Sequence, residues 1–247
     1  MLLQGKLRLL RLVSVAALAL VACGENGVGS SAGVPPSYAL QFVREAGPKL
    51  TPAITGNFSS KDQMVSDARG SLTKIEESSV TPQECRQALL DSAKAIASTS
   101  DGAEASVSSE AAQAQVSISV YKSGESDKAV ERTRQMTDRC SSVIISLPNV
   151  EIGQKTTSIA VPATACQISV VPYMVARSET VKPGAGNGSK DSPVSSIPDI
   201  RTSYGILFAR HGYVYEMQYG SPVGTPDRAM FDRNALKFTE IACSMAA

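Results

Sequence analysis

Apolar residues recur at helical spacing in three segments of the chain, which predicts helices over 81–97, 126–139 and from residue 225 to the C-terminus. The first and the last of these begin with a threonine followed by a proline. Thr81 and Thr225 are therefore the predicted N-caps, because threonine caps a helix well and proline suits the first helical position. Each apolar stripe must pack on a second layer of structure.

Strands are predicted where apolar and polar residues alternate between turn-forming residues. The clearest signal is a hairpin, in which segments 203–210 and 213–219 flank His211 and Gly212, with glycine at a position that needs a positive φ. Further strands are predicted over 114–121, 142–147, 154–161 and 164–176, followed by a polar loop over 177–199. Together these elements predict an α+β fold, with one antiparallel sheet and helices packed on one face.

The N-terminal segment has the features of an export signal. Three basic residues precede a short apolar run, Leu12–Leu20, which falls well below the roughly 20 residues of a membrane span. The four residues that end at Cys23 (LVAC) resemble the bacterial lipobox. The resemblance implies that residues 1–22 are a signal peptide, and that Cys23 carries a diacylglycerol thioether and an acylated N-terminus.

The residues after the lipobox predict how the rest of the chain is divided. Residues 23–37 are rich in Gly, Ser and Pro, which is typical of a flexible tether. The remaining residues, 38–247, are enough for a single domain. We therefore expect a protein that is held by a lipid anchor on the extracytoplasmic face of the cell membrane.

The charge balance excludes one class of partner. The whole chain has a net charge of +1, and without the three basic residues of the signal peptide 21 basic residues face 23 acidic ones, a net charge of −2. A nucleic-acid-binding protein carries a basic patch or stripe, so we expect no nucleic-acid partner. Apolar residues make up 43% of the chain, which is enough for a packed core.

Four cysteines, Cys85, Cys140, Cys166 and Cys243, remain once Cys23 is assigned to the lipid. An even number of cysteines in an exported protein predicts two disulfides, and the sequence leaves three connectivities open. We favour Cys85–Cys140 with Cys166–Cys243, because each pair would join a predicted helix to another part of the same layer. The alternative is four buried free thiols. A zinc site is less favoured, since the chain has one histidine and no CxxC spacing.

The sequence contains no assembled catalytic set, so we expect a protein that is not an enzyme and uses neither a cofactor nor a metal. Segment 184–190 superficially resembles a phosphate-binding loop, but Ser189 precedes Lys190, and Pro193 blocks the helix that should follow. His211 lies at the predicted hairpin tip, where a role in the turn explains it, and no GxSxG or HExxH motif is present. A pair of acids that the fold brings together, as in a wall hydrolase, stays open.

Tyrosines cluster in the predicted hairpin, and alternation places Tyr213, Tyr215 and Tyr219 on one face. One interpretation is that this face is the core under the final helix. The other is that it lines an apolar cleft, since tyrosine combines a large apolar body with a polar tip. The candidate ligand-binding residues are Tyr204, Tyr213, Tyr215 and Tyr219.

The order of these features resembles a known group of proteins. A lipobox and a tether precede a helix that opens at Thr81–Cys85, a helix that ends at Asp138–Cys140, the segment Ala209–Val214 and a helix that closes on Cys243. Over about residues 38–246 the chain resembles the actinobacterial, chiefly mycobacterial, lipoproteins related to the extracellular sensor domain of the PknH receptor kinase. The resemblance implies a two-disulfide α+β domain with a cleft for an unidentified ligand.

The expected function is therefore recognition at the cell envelope. The leading hypothesis is a sensor-like, non-catalytic domain that binds a small hydrophobic molecule, a lipid or a wall component. The alternative is a structural or protein-interaction module that presents a surface to an envelope protein. A deep apolar cavity would favour the first hypothesis, and a flat exposed surface would favour the second.

Overall fold

The structure is a computed structural model that describes residues 37–182, 201–221 and 224–245. The predicted signal peptide, Cys23, nearly all of the tether and segment 184–190 lie outside these ranges. Among the helices that the structure describes, none has both the length and the apolar character of a membrane span.

The described ranges form strands and helices that alternate along the chain. The strands are β1 Phe58–Ser59, β2 Ser79–Thr81, β3 Gly102–Ser109, β4 Ala114–Lys122, β5 Ser142–Ser146, β6 Val150–Ser158, β7 Val171–Val181, β8 Arg201–Arg210 and β9 Tyr213–Ser221. The helices are α1 Tyr38–Ala46, a 3₁₀ turn Gly47–Lys49, α2 Lys61–Glu77, α3 Cys85–Ala97, α4 Ser126–Arg139 and α5 Arg228–Ser244.

The strands form a single sheet in the order β1-β3-β4-β9-β8-β7-β6-β5-β2, and every pair is antiparallel. The long strands β4, β9, β8 and β7 occupy the middle, and the shortest strands, β1 and β2, lie at the two ends. The predicted α+β class and antiparallel sheet are confirmed.

Helices cover both faces of this sheet, not one face as the sequence pattern suggested. On β8, Leu207 is buried in a cluster with residues of α2, α3 and α4, whereas its neighbour Phe208 is buried with residues of α1 and α5. On β9, Val214 and Tyr215 are divided in the same way. Because consecutive side chains of a strand point to opposite faces, a strand that is apolar on both faces needs a cover on each side.

Two helices begin later than their sequences predict. Thr81 belongs to β2 and pairs with Ile144 of β5, so its backbone is extended and α3 begins at Cys85. At the other end of the chain, Asp227 caps α5 in place of Thr225, because its side chain accepts hydrogen bonds from two amides of the first turn.

The predicted hairpin is confirmed, with β8 and β9 joined by His211 at φ 51° and Gly212 at φ 77°. The predicted division of residues 154–199 is wrong in two places. Strand β7 begins at Val171, so residues 164–170 are a loop, and it continues to Val181, through the start of the predicted polar loop.

Both favoured disulfides are present. Cys85–Cys140 joins the first residue of α3 to the residue that follows α4, with Cα atoms 5.8 Å apart. Cys166–Cys243 joins the loop before β7 to the last turn of α5, with Cα atoms 6.3 Å apart. The first bond lies between the helices of one layer, and the second fastens α5 to the sheet layer.

Candidate functional site

The four tyrosines that the sequence offers as ligand contacts lie in the core. Tyr204, Tyr213, Tyr215 and Tyr219 belong to the cluster that includes α1 and α5, and their exposed fractions are between 0% and 9%. The Tyr215 ring stacks on Phe208, with ring centroids 4.9 Å apart. Since these rings are packed against protein, this face of the hairpin is core under α1 and α5.

The hydroxyl groups of this cluster join the start of α1 to the hairpin. Tyr213 donates a hydrogen bond of 2.9 Å to Asp101 Oδ2, which also accepts one of 3.2 Å from the backbone amide of Ala39. The hydroxyls of Tyr38 and Tyr215 lie 2.8 Å apart. Burial raises the pKa of both Tyr213 and Tyr215 well above the usual tyrosine range, so these hydroxyls remain protonated and serve as structural contacts.

A buried polar cluster lies on the opposite face of the sheet. The ring of Tyr173 packs over Gly205 of the neighbouring strand, in the space that a Cβ atom would occupy. Its hydroxyl donates to Glu216 Oε1, which also accepts a hydrogen bond of 2.9 Å from Gln218 Nε2. Among the described residues, Glu216 Oε2 has no hydrogen-bond partner. Burial raises the pKa of Glu216 to about 7, and the hydrogen bonds from Tyr173 and Gln218 lower it.

A second buried carboxyl, Glu104, lies on the same face. On β3, Glu104 pairs with Ser119 of β4, and Ser119 pairs on its other side with Glu216 of β9. The Cα atoms of the two acids are therefore about two strand spacings, roughly 10 Å, apart. Burial raises the pKa of Glu104 to about 8, with a further increase from Asp67 and a decrease from a hydrogen bond with Ser59. Both acids are 5% exposed or less, so they face protein, unlike an acid pair that lines an open groove.

A cleft of about 450 Å³ between α4 and the end of β8 is lined by charged side chains, apolar side chains and a disulfide cysteine. We call it the α4–β8 cleft. Its walls are residues of α4, the loop before β7 and β8. They are Asp127, Val130, Glu131, Arg134, Cys166, Gln167, Ile168, Ser169, Ala209 and Arg210. The volume falls in the range of small-ligand pockets, and the walls carry both apolar side chains and charges.

Arg210, the last residue of β8, is the distinctive charge of this cleft. Its Nη1 lies 3.1 Å from Cys166 Sγ and 3.7 Å from Cys243 Sγ. Its Nε is buried and has no hydrogen-bond partner among the described residues, and no described carboxylate forms an ion pair with it. Because a guanidinium has five donors and keeps its charge, Arg210 retains capacity for an anionic group.

The second arginine of the cleft is already engaged. Arg134 forms an ion pair with Glu131, three residues earlier on α4. Asp127, one turn before Glu131, adds a further negative charge to the α4 wall. The cleft therefore has a paired, net acidic wall on α4 and an unpaired cation on β8.

The loop that forms the third wall has an uncommon backbone. Cys166 and Gln167 have φ values of 44° and 53°, and both are exposed. Two consecutive residues with side chains in the left-handed region are costly, and the surrounding structure must hold them there. Two bonds to α5 do so: the disulfide to Cys243, and a hydrogen bond of 3.1 Å from the Ala165 amide to Thr239 Oγ1.

The remaining candidates from sequence do not converge on the cleft. His211 is exposed at the tip of the hairpin. Within the described part of the chain, no group of three or more His, Cys, Asp or Glu side chains could hold a metal ion. Arg210 had no sequence signal, because its partner Cys166 is 44 residues away along the chain.

Comparisons with known proteins add one similarity. No protein-family model matches the chain, and no curated protein matches it. Among solved structures, it is similar to the extracellular domain of PknH from Mycobacterium tuberculosis, at 13% identity over 68% of this chain and 78% of that chain, with a TM-score of 0.36. A similarity this distant does not assign a function.

Proposed function

We propose that this protein is a lipoprotein of the cell envelope, anchored through Cys23, with an extracytoplasmic domain that recognises a ligand and makes or breaks no bond in it. The two disulfides support the location, since such bonds persist in oxidising compartments. The lipobox pattern supports the anchor.

The proposed ligand is a small envelope molecule with an apolar body and an anionic end, which binds in the α4–β8 cleft. The observation that carries this proposal is the unpaired guanidinium of Arg210 at the cleft. Val130, Ile168 and Ala209 supply apolar contact surface beside it. A lipid with an acidic headgroup or an acidic wall fragment has this combination of properties.

Native mass spectrometry of the protein purified from its own envelope in mild detergent tests this proposal. A co-purifying small molecule is expected on the wild-type protein and on the control variant Arg44→Gln, whose arginine is exposed on α1 outside the cleft. Arg210→Gln should weaken binding by about tenfold or more and so reduce the occupancy, because a hydrogen bond to a charged group contributes roughly 1.5–3 kcal/mol. Equal occupancy in all three proteins would place the ligand outside the cleft, and no bound molecule would count against a ligand-binding role.

The alternative is a protein-interaction module, which a second surface favours. On the side of the sheet that α1 and α5 cover, β5 and β6 extend beyond these helices and are exposed at Ile144, Glu151 and Lys155. Ile144 is 40% exposed, so it offers an apolar contact to a partner on this surface. Cross-linking in the envelope that captures one partner through this surface, and loses it in Ile144→Ser, would favour the alternative.

A further inference from the structure

We propose that Cys166–Cys243 is an exchangeable disulfide, which opens by thiol–disulfide exchange with an external dithiol, whereas Cys85–Cys140 stays closed in the folded protein. This goes beyond the recognition function proposed above, because it assigns a covalent modification site. Accessibility, local charge and backbone conformation support it independently.

The two disulfides differ sharply in accessibility. Cys85 and Cys140 are 0% and 6% exposed and belong to a packed cluster with residues of α2, α3 and β5. Cys166 is exposed and forms part of the wall of the α4–β8 cleft, and Cys243 is half-buried behind it. Exchange requires a thiolate to approach a sulfur atom, so only the second bond is open to attack without unfolding.

The charge beside the second disulfide favours its opening. The Arg210 guanidinium contacts both sulfur atoms, at 3.1 and 3.7 Å, so it stabilises negative charge on either sulfur. A thiol of lower pKa is the better leaving group, which accelerates exchange. Asp127 and Glu131 face the same cleft from α4 and oppose this effect, but Glu131 is paired with Arg134.

The backbone at the exposed sulfur also favours opening. The left-handed conformations of Cys166 and Gln167 persist because the loop is fastened to α5. Opening the disulfide leaves two described hydrogen bonds between this loop and α5, one from the Ala165 amide to Thr239 and one from Arg228 to the Ala160 carbonyl. The loop can then relax, which removes a conformational cost from the reduced state.

The reaction is a two-electron exchange. A thiolate of the dithiol attacks Cys166 Sγ, a mixed disulfide forms, and the bond to Cys243 breaks with its electron pair on Cys243 Sγ beside Arg210. The second thiolate of the dithiol then attacks the dithiol's other sulfur atom, the one bonded to Cys166 in the mixed disulfide. Cys166 leaves as a thiolate. The dithiol is oxidised to a cyclic disulfide, and the two cysteines are reduced and take up protons from water according to the pH.

Partial reduction of the folded protein tests this inference without any ligand. The protein is incubated with a graded series of dithiothreitol, quenched with N-ethylmaleimide, and analysed by peptide mass spectrometry, while circular dichroism monitors the fold. Cys166 and Cys243 should be labelled at least tenfold faster than Cys85 and Cys140. Equal rates, or earlier labelling of Cys85 and Cys140, would overturn the inference.

Two variants test the role of the guanidinium. Arg210→Gln should slow labelling of Cys166 and Cys243 at least threefold, while Arg210→Lys, which keeps the charge, should slow it less. The control Arg44→Gln removes an exposed cation of α1 outside the cleft, and should leave the rate unchanged. If Arg210→Gln unfolds, the labelling rates of Arg210→Lys and the wild-type protein are compared at increasing salt concentration. A labelling rate that does not depend on salt in either protein contradicts the electrostatic argument. Because no ligand is present, failure of the ligand proposal would leave this result unaffected.

Discussion

At the scale of single residues, the largely apolar layer between the sheet and α2, α3 and α4 contains two buried acidic side chains. Glu104 and Glu216 are nearly inaccessible, yet both are carboxyls, and a serine separates them on the intervening strand. Burial of a charged carboxylate is costly, so each group keeps its proton to a higher pH than usual. Near neutral pH the folded protein therefore binds protons at these two carboxyls that the unfolded chain would release.

This burial predicts that stability falls as the pH rises. Glu216 has a pKa of about 7 in the folded protein against 4.5 for an ordinary glutamate, so the native state binds the proton more tightly. Its contribution is complete below about pH 4.5 and is lost as the pH rises through 7, and it amounts to about 3 kcal/mol. Urea unfolding from pH 5 to 8 measures the slope of the unfolding free energy.

In that experiment Glu216→Gln should flatten the slope, and the remaining slope should come from Glu104, whose pKa is about 8. The matched control is Glu110→Gln, an exposed acid in the turn between β3 and β4. A wild-type protein that gained stability with rising pH over this interval would contradict the assignment.

Gly205 is a second residue with a specific spatial role. A Cβ atom there would overlap the ring of Tyr173, which lies against the backbone of β8. Gly205→Ala should therefore displace Tyr173 from Glu216 and lower the unfolding free energy by about 1–3 kcal/mol, as overpacking does. Gly124→Ala, where nothing lies within 4 Å of the added atom, is the control in the same urea titration, and equal effects of both changes would refute the packing argument.

At the scale of elements, the sequence and the structure differ over which residue caps the start of α5. Asp227 Oδ1 accepts hydrogen bonds from the amides of Ala229 and Met230, at 2.8 and 3.1 Å. Asp227→Ala should lower the unfolding free energy by about 0.5–2 kcal/mol, because an N-cap satisfies amides that the helix leaves unpaired. Thr225→Ala, which removes the cap that the sequence favoured, should have little effect in thermal unfolding. A larger loss of stability in Thr225→Ala than in Asp227→Ala would show that Thr225 is the N-cap, as the sequence predicts.

The elements that the sequence predicted well are those with local signals. The bounds of α4 and the turn at His211 and Gly212 follow from spacing and turn chemistry alone. The sequence pattern did not predict strand β3, because its face toward α2, α3 and α4 carries Glu104 and Ser106, and such residues are typical of a polar segment. The false start at Thr81 has a long-range cause, since pairing of β2 with β5 overrides the local preference for a helix.

The same division applies to the candidate site. The two cysteines of the cleft were visible in the sequence, because export and an even count predict disulfides. Arg210 was not visible, because only the antiparallel arrangement of β7, β8 and the loop before β7 brings it to the sulfur atoms. The tyrosine pattern indicated a shared face, but could not show that α1 and α5 cover that face.

At the scale of the whole molecule, the prediction that matters most is the anchor. Cys23→Ala should shift the protein from the membrane fraction to the soluble fraction or leave its signal peptide uncleaved, because no acyl chain could then be attached at this position. Cell fractionation with mass measurement of the mature protein distinguishes these outcomes. A matched change, Cys85→Ala with Cys140→Ala, leaves the lipobox intact and should not alter the distribution. Normal anchoring of Cys23→Ala would contradict the lipoprotein proposal.

The short strands at the two ends of the sheet affect how readily the sheets of neighbouring molecules can associate edge to edge. Strand β1 has two residues and β2 has three, so these end strands offer few backbone amides and carbonyls to another sheet, although β1 pairs with only Glu104 and Ala105 of β3. Under the proposed membrane anchor, molecules held side by side would meet only these short strands and the rest of the β3 edge as a template for joining their sheets. We therefore expect fibre formation to be slow from the folded sheet of nine strands and faster once the sheet has unfolded.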